Sequence, residues 1–296
     1  MVDQVLIGVP VDSVGRSPGG AEDGPGALRK LGLADAVGAM DRGDLELRIR
    51  GEERDPDTGI LASADVLTAT RAIRSAVAQA VSEGLRPVLA GGCCSELPGA
   101  LAGARDSLGG VGLAYVDGHL DLYDGRTSTT GEAADMPISV VLGRGPQAWV
   151  DAAGGPGAGA ESVSILGYRD REESIRYGMT QPEDLDPEPD HRPVEALRGA
   201  GLEATGSDVA ARLGRLGPFW LHFDVDVLDQ DTFPATDYLM PGGLGWDEAG
   251  ALLGPLLRST HLIGASIACY NPAKDPGLAC GRALVEALSP LGEAAA

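Results

Sequence analysis

A chain of 296 residues, 43% hydrophobic and 23% charged, can bury a sizeable core, which excludes a disordered protein. Its 44 Asp and Glu against 23 Lys and Arg, a net charge of −21, repel phosphate backbones and anionic lipid, so nucleic acid and membrane surfaces are not expected partners. No uncharged apolar run reaches the roughly 18 residues of a membrane span, and no basic stretch precedes the first apolar run, so a cytoplasmic protein is expected. The four cysteines, with Cys93 and Cys94 adjacent, make no disulfide framework and read as reduced thiols. With only four histidines, His119, His191, His222 and His261, carboxylates must supply most ligands of any metal site.

Along the chain, VLIGVP (5–10) predicts a first strand and 26–38 a helix. Residues 63–83 carry Val66, Ala69, Ile73, Val77 and Ala80 at helical spacing, and Gly84 stands where a helix stop belongs. PVLA (87–90) and VGLAYV (111–116) predict strands around a helix at 97–107, and VSIL (163–166) another strand. Helices at 194–199 and 208–216 lead into the strand FWLHF (219–223), and helices at 246–257 and 278–288 flank the strand LIGASIA (262–268). Apolar strands alternating with helices imply an α/β protein, a mostly parallel sheet covered on both sides in a three-layer α/β/α arrangement. The glycine-rich stretch 153–160 and the acidic, proline-bearing stretch 181–193 read as surface loops, leaving one domain over 1–296.

The strand VGLAYV runs into Asp117-Gly118-His119-Leu120-Asp121, whose spacing of two in an extended segment puts Asp117, His119 and Asp121 on one face. FWLHF likewise ends in Asp224-Val225-Asp226. Either acidic cluster alone reads more readily as solvated or helix-capping. Both together, each beyond the carboxyl end of an apolar strand and one with a histidine, point to a metal site, because gathered carboxylates repel unless divalent cations sit among them. Oxygen-dominated ligation with one imidazole favours Mn²⁺ over a structural zinc. Gly91-Gly92-Cys93-Cys94-Ser95 follows PVLA at the same sheet edge; its thiols read either as a ligand or as small buried hydrophobes. His222 alternates with Asp224 inside its strand and reads as a core histidine or as a support behind the ligands.

These stretches, in this order and spacing, resemble the arginase/agmatinase (ureohydrolase) family. GGAEDGPGALRKLGL (19–33) resembles its G-x-E-x-GP-x-x-LR-x-x-GL stretch, YVDGHLDLYD its D-A-H-x-D motif and HFDVDVLDQD its S-x-D-x-D-x-x-D-P motif, and LAGGCCS stands where the family has G-G-D-H-S. The resemblance implies a binuclear manganese centre that activates hydroxide against an amidine or guanidine carbon. By position, Asp117 and Asp224 would bridge two Mn²⁺ ions, His119 and Asp226 would bind one, and Asp121 would bind the other while orienting the hydroxide. The sixth family ligand, a histidine, corresponds to Cys94 and the aspartate before it to Cys93. A Cys94 thiolate adds one negative charge to the four carboxylates and favours Zn²⁺ or Fe²⁺ on its side.

Further departures concern substrate. Tyr270-Asn271-Pro272 matches the family's V-N-P ending, but the glutamate that grips guanidinium in arginases corresponds to Cys269, which cannot make that charge-assisted pair. TTGEAADMP (129–137) resembles the segment holding a proton-shuttling histidine, with Ala134 at that place and Glu132 at a substrate-contacting one. GYRDREE (167–173) resembles a stretch near a substrate ammonium, offering Asp170, which reads equally as a solvated surface acid, and Glu172, which reads more readily as one. The expected activity is metal-dependent hydrolysis of a C–N bond in a small, linear amidine or guanidine other than arginine, by a homo-oligomer. Two further readings are a binding protein that has lost hydrolysis and a mononuclear hydrolase using Asp117, His119, Asp224 and Asp226.

Overall fold

The computed structural model describes residues 3–12 and 19–293. Its centre is one eight-stranded, wholly parallel sheet: β1 (Gln4–Val9), β2 (Ala39–Asp44), β3 (Arg86–Gly91), β4 (Gly112–Val116), β5 (Val163–Leu166), β6 (Asp190–Arg192), β7 (Phe219–Asp224) and β8 (Leu262–Ala268), in the order β2-β1-β3-β8-β7-β4-β5-β6. Every residue of β1, β3, β4, β5 and β7 is buried, so side chains alternating to both faces meet protein on both, as helical crossovers between parallel strands require.

The helices follow from periodicity and close packing. The helix Ser63–Ser82 buries Val66, Ala69, Ile73, Val77 and Ala80, the stripe read from the sequence. Leu97–Leu108 packs against it through Gly99 and Gly103, where an added Cβ would stand 2.7 Å from Thr70 O and 2.4 Å from Arg74 O. Leu202–Leu216 and Trp246–Leu257 form a second packed pair.

The differences from the sequence reading are at edges and boundaries. The expected helix at 26–38 is two, Gly24–Lys30 and Leu33–Ala36, broken at Gly32. The helix expected at 208–216 starts earlier, at Leu202. β2 and β6 were not expected: they are the two polar edge strands, and β6, three residues long, lies inside the stretch read as loop. An edge strand needs no apolar alternation on two covered faces, so hydropathy does not reveal it.

Candidate metal centre

β3 and β4 follow one another in the chain yet are separated in the sheet by β8 and β7. At such a reversal the crevice beyond the strands' carboxyl ends is the natural ligand site. Each of these four central strands delivers a side chain there: Cys94 from just beyond β3, Asp117 beyond β4, Asp224 at the end of β7 and Cys269 beyond β8.

Backbone amides aim the carboxylates. Asp117 Oδ1 accepts from His119 N at 2.7 Å, Asp224 Oδ1 from Asp226 N at 2.8 Å and Asp226 Oδ1 from Gly118 N at 3.1 Å. The second oxygens face the other donors: Asp117 Oδ2 is 3.7 Å from Cys94 Sγ, which also touches Asp224 Oδ2, and Asp226 Oδ2 is 3.1 Å from His119 Nδ1. Two donor groups result, within each of which all ligand atoms lie within 4.8 Å of one another: Cys94, Asp117, His222 and Asp224, and Asp117, His119 and Asp226. Asp117 belongs to both.

Asp121 stands outside both groups. Its backbone is left-handed (φ 50°), and its Oδ2 accepts a hydrogen bond from the Tyr115 hydroxyl. It lines the cavity above the cluster together with Glu132, Asp170 and Cys269. Glu132 accepts from the Tyr238 hydroxyl. Glu172 is exposed and outside the lining, and Glu173 of the same short helix takes that place. Ala134, at the shuttle position, also lines the wall. The cavity encloses about 420 Å³, and its lining contains several carboxylates and no Lys or Arg among the described residues.

Crowding sets the protonation behaviour. Burial, then the charges of Asp226 and Asp117, push Asp224 well above the usual carboxylate range, and burial and Asp117 do the same to Asp121. Burial, contact with Cys269 and the Asp224 charge raise the Cys94 thiol. Burial alone would lower His119 and raise Asp226, but their mutual attraction outweighs it and moves each the other way. Burial brings His222 down to about 4, a neutral imidazole. Acids and a thiol that resist ionising together, aimed at common points, fit divalent cations, whose charge relieves the repulsion.

A model of the arginase family matches residues 2–289. The chain belongs to the arginase family. It is 26% identical to the arginase of Bacillus subtilis (strain 168), over 97% of this chain and 96% of that one. The structure of arginase from Bacillus caldovelox superposes with a TM-score of 0.87 at 23% identity, covering 99% of this chain and 98% of that one. The formimidoylglutamase of Bacillus subtilis superposes with a TM-score of 0.76 at 18% identity, covering 100% and 87%. The family and its α/β fold are therefore those expected from the motifs. Among the described residues no helix is long and apolar enough to cross a membrane.

Other contributors were not singled out from the sequence. Arg169 reaches across to the loop after β7, donating from Nη2 to Asp226 O at 2.7 Å and to Leu228 O and Met240 O at 3.2 Å, so it fixes the wall that carries Tyr238. Tyr115 stacks on His222 with ring centroids 5.1 Å apart. Glu96 lies fully buried under the site, where desolvation and the Asp224 charge keep its carboxyl well above the usual range.

Asp170 allows a test of this crowding. It is 8% exposed, its Oδ1 has no hydrogen-bond partner among the described residues, and its Oδ2 accepts only the long bond from Leu120 N at 3.3 Å. Burial raises it from 3.8 to about 6. The folded state thus binds the proton more tightly, and stability falls as pH rises from 3.8 through about 6. Asp170→Asn is expected to stabilise the metal-free protein by up to about 3 kcal/mol at roughly pH 7.5, and by only about 0.5 kcal/mol near pH 4, where the folded carboxyl is protonated and the unfolded one about half ionised. Denaturant titrations at the two pH values check this; an equal gain at both contradicts it.

Proposed function

We propose that this chain is a metal-dependent amidinohydrolase that cleaves a C–N bond in a small, cationic guanidine or amidine other than arginine. The observation that carries the reading is Asp117 shared by two ligand groups at the floor of an acidic cavity. Asp117, Asp224, His119, Asp226 and Cys94 would hold two ions, with Mn²⁺ suited to the oxygen-rich His119 side and a softer ion to the Cys94 side. Divalent ions bound there would bring water close to ionisation at neutral pH and polarise the C=N group.

The remaining work falls to the protein's own groups. Asp121, in the cavity lining and held by the Tyr115 hydroxyl, would orient the attacking water and accept its proton. Glu132 and Asp170 would face the substrate's positive charge, and the lining among the described residues carries no Lys or Arg to oppose it. Cys269 offers no carboxylate to a guanidinium, which disfavours arginine. Ala134 cannot shuttle a proton, so the leaving amine is left to water or to a cavity hydroxyl such as that of Tyr238.

Protein loaded with Mn²⁺ and Zn²⁺ is assayed against guanidino, amidino and formimidoyl compounds for urea, formamide or ammonia. Turnover of at least one is expected, with kcat/KM on arginine about 10- to 100-fold lower, the worth of a lost charge-assisted hydrogen bond. Protein that carries two ions yet releases none of these products sinks the reading and favours a binding protein.

A further inference from the structure

The motifs quoted above give the family a histidine where this chain has Cys94 and a serine where it has His222. These positions are 128 residues apart, one just beyond β3 and the other within β7, yet Cys94 Sγ and His222 Nε2 lie 3.4 Å from one another. Resting on the metal-centre reading above, we infer that the imidazole has moved between strands: His222 Nε2 is a metal ligand, completing with Cys94, Asp117 and Asp224 a sulfur, nitrogen and oxygen site selective for a zinc-class ion over Mn²⁺.

The spacing is that of ligands sharing an ion. Sulfur and nitrogen bound tetrahedrally at roughly 2.3 and 2.05 Å stand about 3.6 Å apart, close to the 3.4 Å observed. Asp117 Oδ2 is 3.7 Å from the same sulfur, and all four donors lie within 4.8 Å of one another.

The imidazole is also held as a ligand needs to be. Tyr115, His222 and Ser266 form one row in register across β4, β7 and β8. Ser266 Oγ lies 2.7 Å from His222 Nδ1 and accepts the Trp220 indole N–H at 2.9 Å. With the proton on Nδ1, the second lone pair of that hydroxyl takes it, and Nε2 presents its own lone pair to the cluster. Tyr115 stacks on the ring at an interplanar angle of 5°, so it cannot swing away. A partner behind the ring that fixes tautomer and orientation is the usual accompaniment of a ligating histidine.

Charge makes the exchange coherent. The family pattern on this side, one histidine with the aspartates at 117, 121 and 224, carries three negatives. A Cys94 thiolate, neutral His222, Asp117 and Asp224 carry the same three, while Asp121 turns aside to the Tyr115 hydroxyl. Thiolate and imidazole in place of imidazole and carboxylate shift preference from a hard ion to a softer one without changing the site's charge.

Co²⁺ substitution reads this directly, because a thiolate ligand gives a sulfur-to-cobalt charge-transfer band in the near ultraviolet. The wild-type protein is expected to show the band and to bind Zn²⁺ on this side at least about 100-fold more tightly than Mn²⁺. His222→Ser should weaken Co²⁺ binding at the thiolate side by on the order of 100-fold or more, beyond the loss of a mere outer partner, and leave the His119 side loaded. In Cys94→His/His222→Ser, which returns the imidazole to the tip of β3, the band should vanish, two ions should bind and the preference should swing toward Mn²⁺. Should the single variant not fold, this double variant and zinc X-ray absorption of the wild type, expected to show on average half a sulfur and one imidazole per zinc, decide the matter. An unchanged band and affinity in folded His222→Ser, or two bound ions without any band in the wild type, overturns the inference and leaves the hydrolase reading standing. A centre that behaves as expected but turns over no amidine overturns the hydrolase reading alone.

Discussion

Asp117→Asn should empty both halves of the metal centre together and lower kcat/KM by on the order of 10²- to 10⁴-fold, compounding a loss of roughly 10- to 100-fold at each of two ions. Among the described residues Asp117 alone belongs to both donor groups. The asparagine side-chain oxygen can still accept the His119 N–H that holds Asp117 Oδ1 at 2.7 Å, so the turn after β4 should persist. Asp226→Asn is the contrast, because Asp226 serves only the group that contains His119. Elemental analysis with steady-state kinetics checks both; an Asp117→Asn protein that keeps two ions would refute the shared-ligand geometry.

Stripping the ions should lower the thermal midpoint by roughly 10–20 °C. Two ions at a thousandfold excess over their Kd each contribute about 4 kcal/mol, and a chain of this size shifts by roughly 2 °C per kcal/mol. The gap should widen with pH. Asp224 and Asp121 have folded pKa values raised above the unfolded ones, so in the metal-free protein stability is lost as pH rises through those values. Ion binding needs Asp224 and the Cys94 thiol deprotonated, so the loaded protein gains where the empty one weakens. Thermal scans with and without chelator at about pH 5.5 and pH 8 read this; a smaller gap at the higher pH would count against carboxylates and thiolate as ligands.

The sequence carried the interior of the fold and the floor of the site. β5 and β8 match their apolar runs residue for residue, because strands covered on both faces must be apolar throughout. Asp117, His119, Asp224 and Asp226 were legible because a period of two places alternate residues beyond a strand on one face. Three-dimensional neighbours were not. His222 read most simply as a core histidine, since nothing in one dimension places β3 beside β8, one strand from β7, rather than beside β4, or Nε2 against Cys94. Asp121 fits the same alternation as Asp117, but its left-handed backbone, which no pattern of hydropathy encodes, turns it toward Tyr115. The switch from Glu172 to Glu173 is a one-residue rotation on a short helix, below the resolution of spacing arguments.

The strand order bears on how the molecule is born. The last two strands to leave the ribosome, β7 and β8, insert between two that emerged far earlier, β3 and β4. Until they do, the emerged chain has two half-sheets with open edges and a thiol and an aspartate that do not yet meet. Affinity for divalent ions should therefore arise late and abruptly during synthesis, and a nascent chain stalled before Cys269 should depend on chaperones to shield those edges.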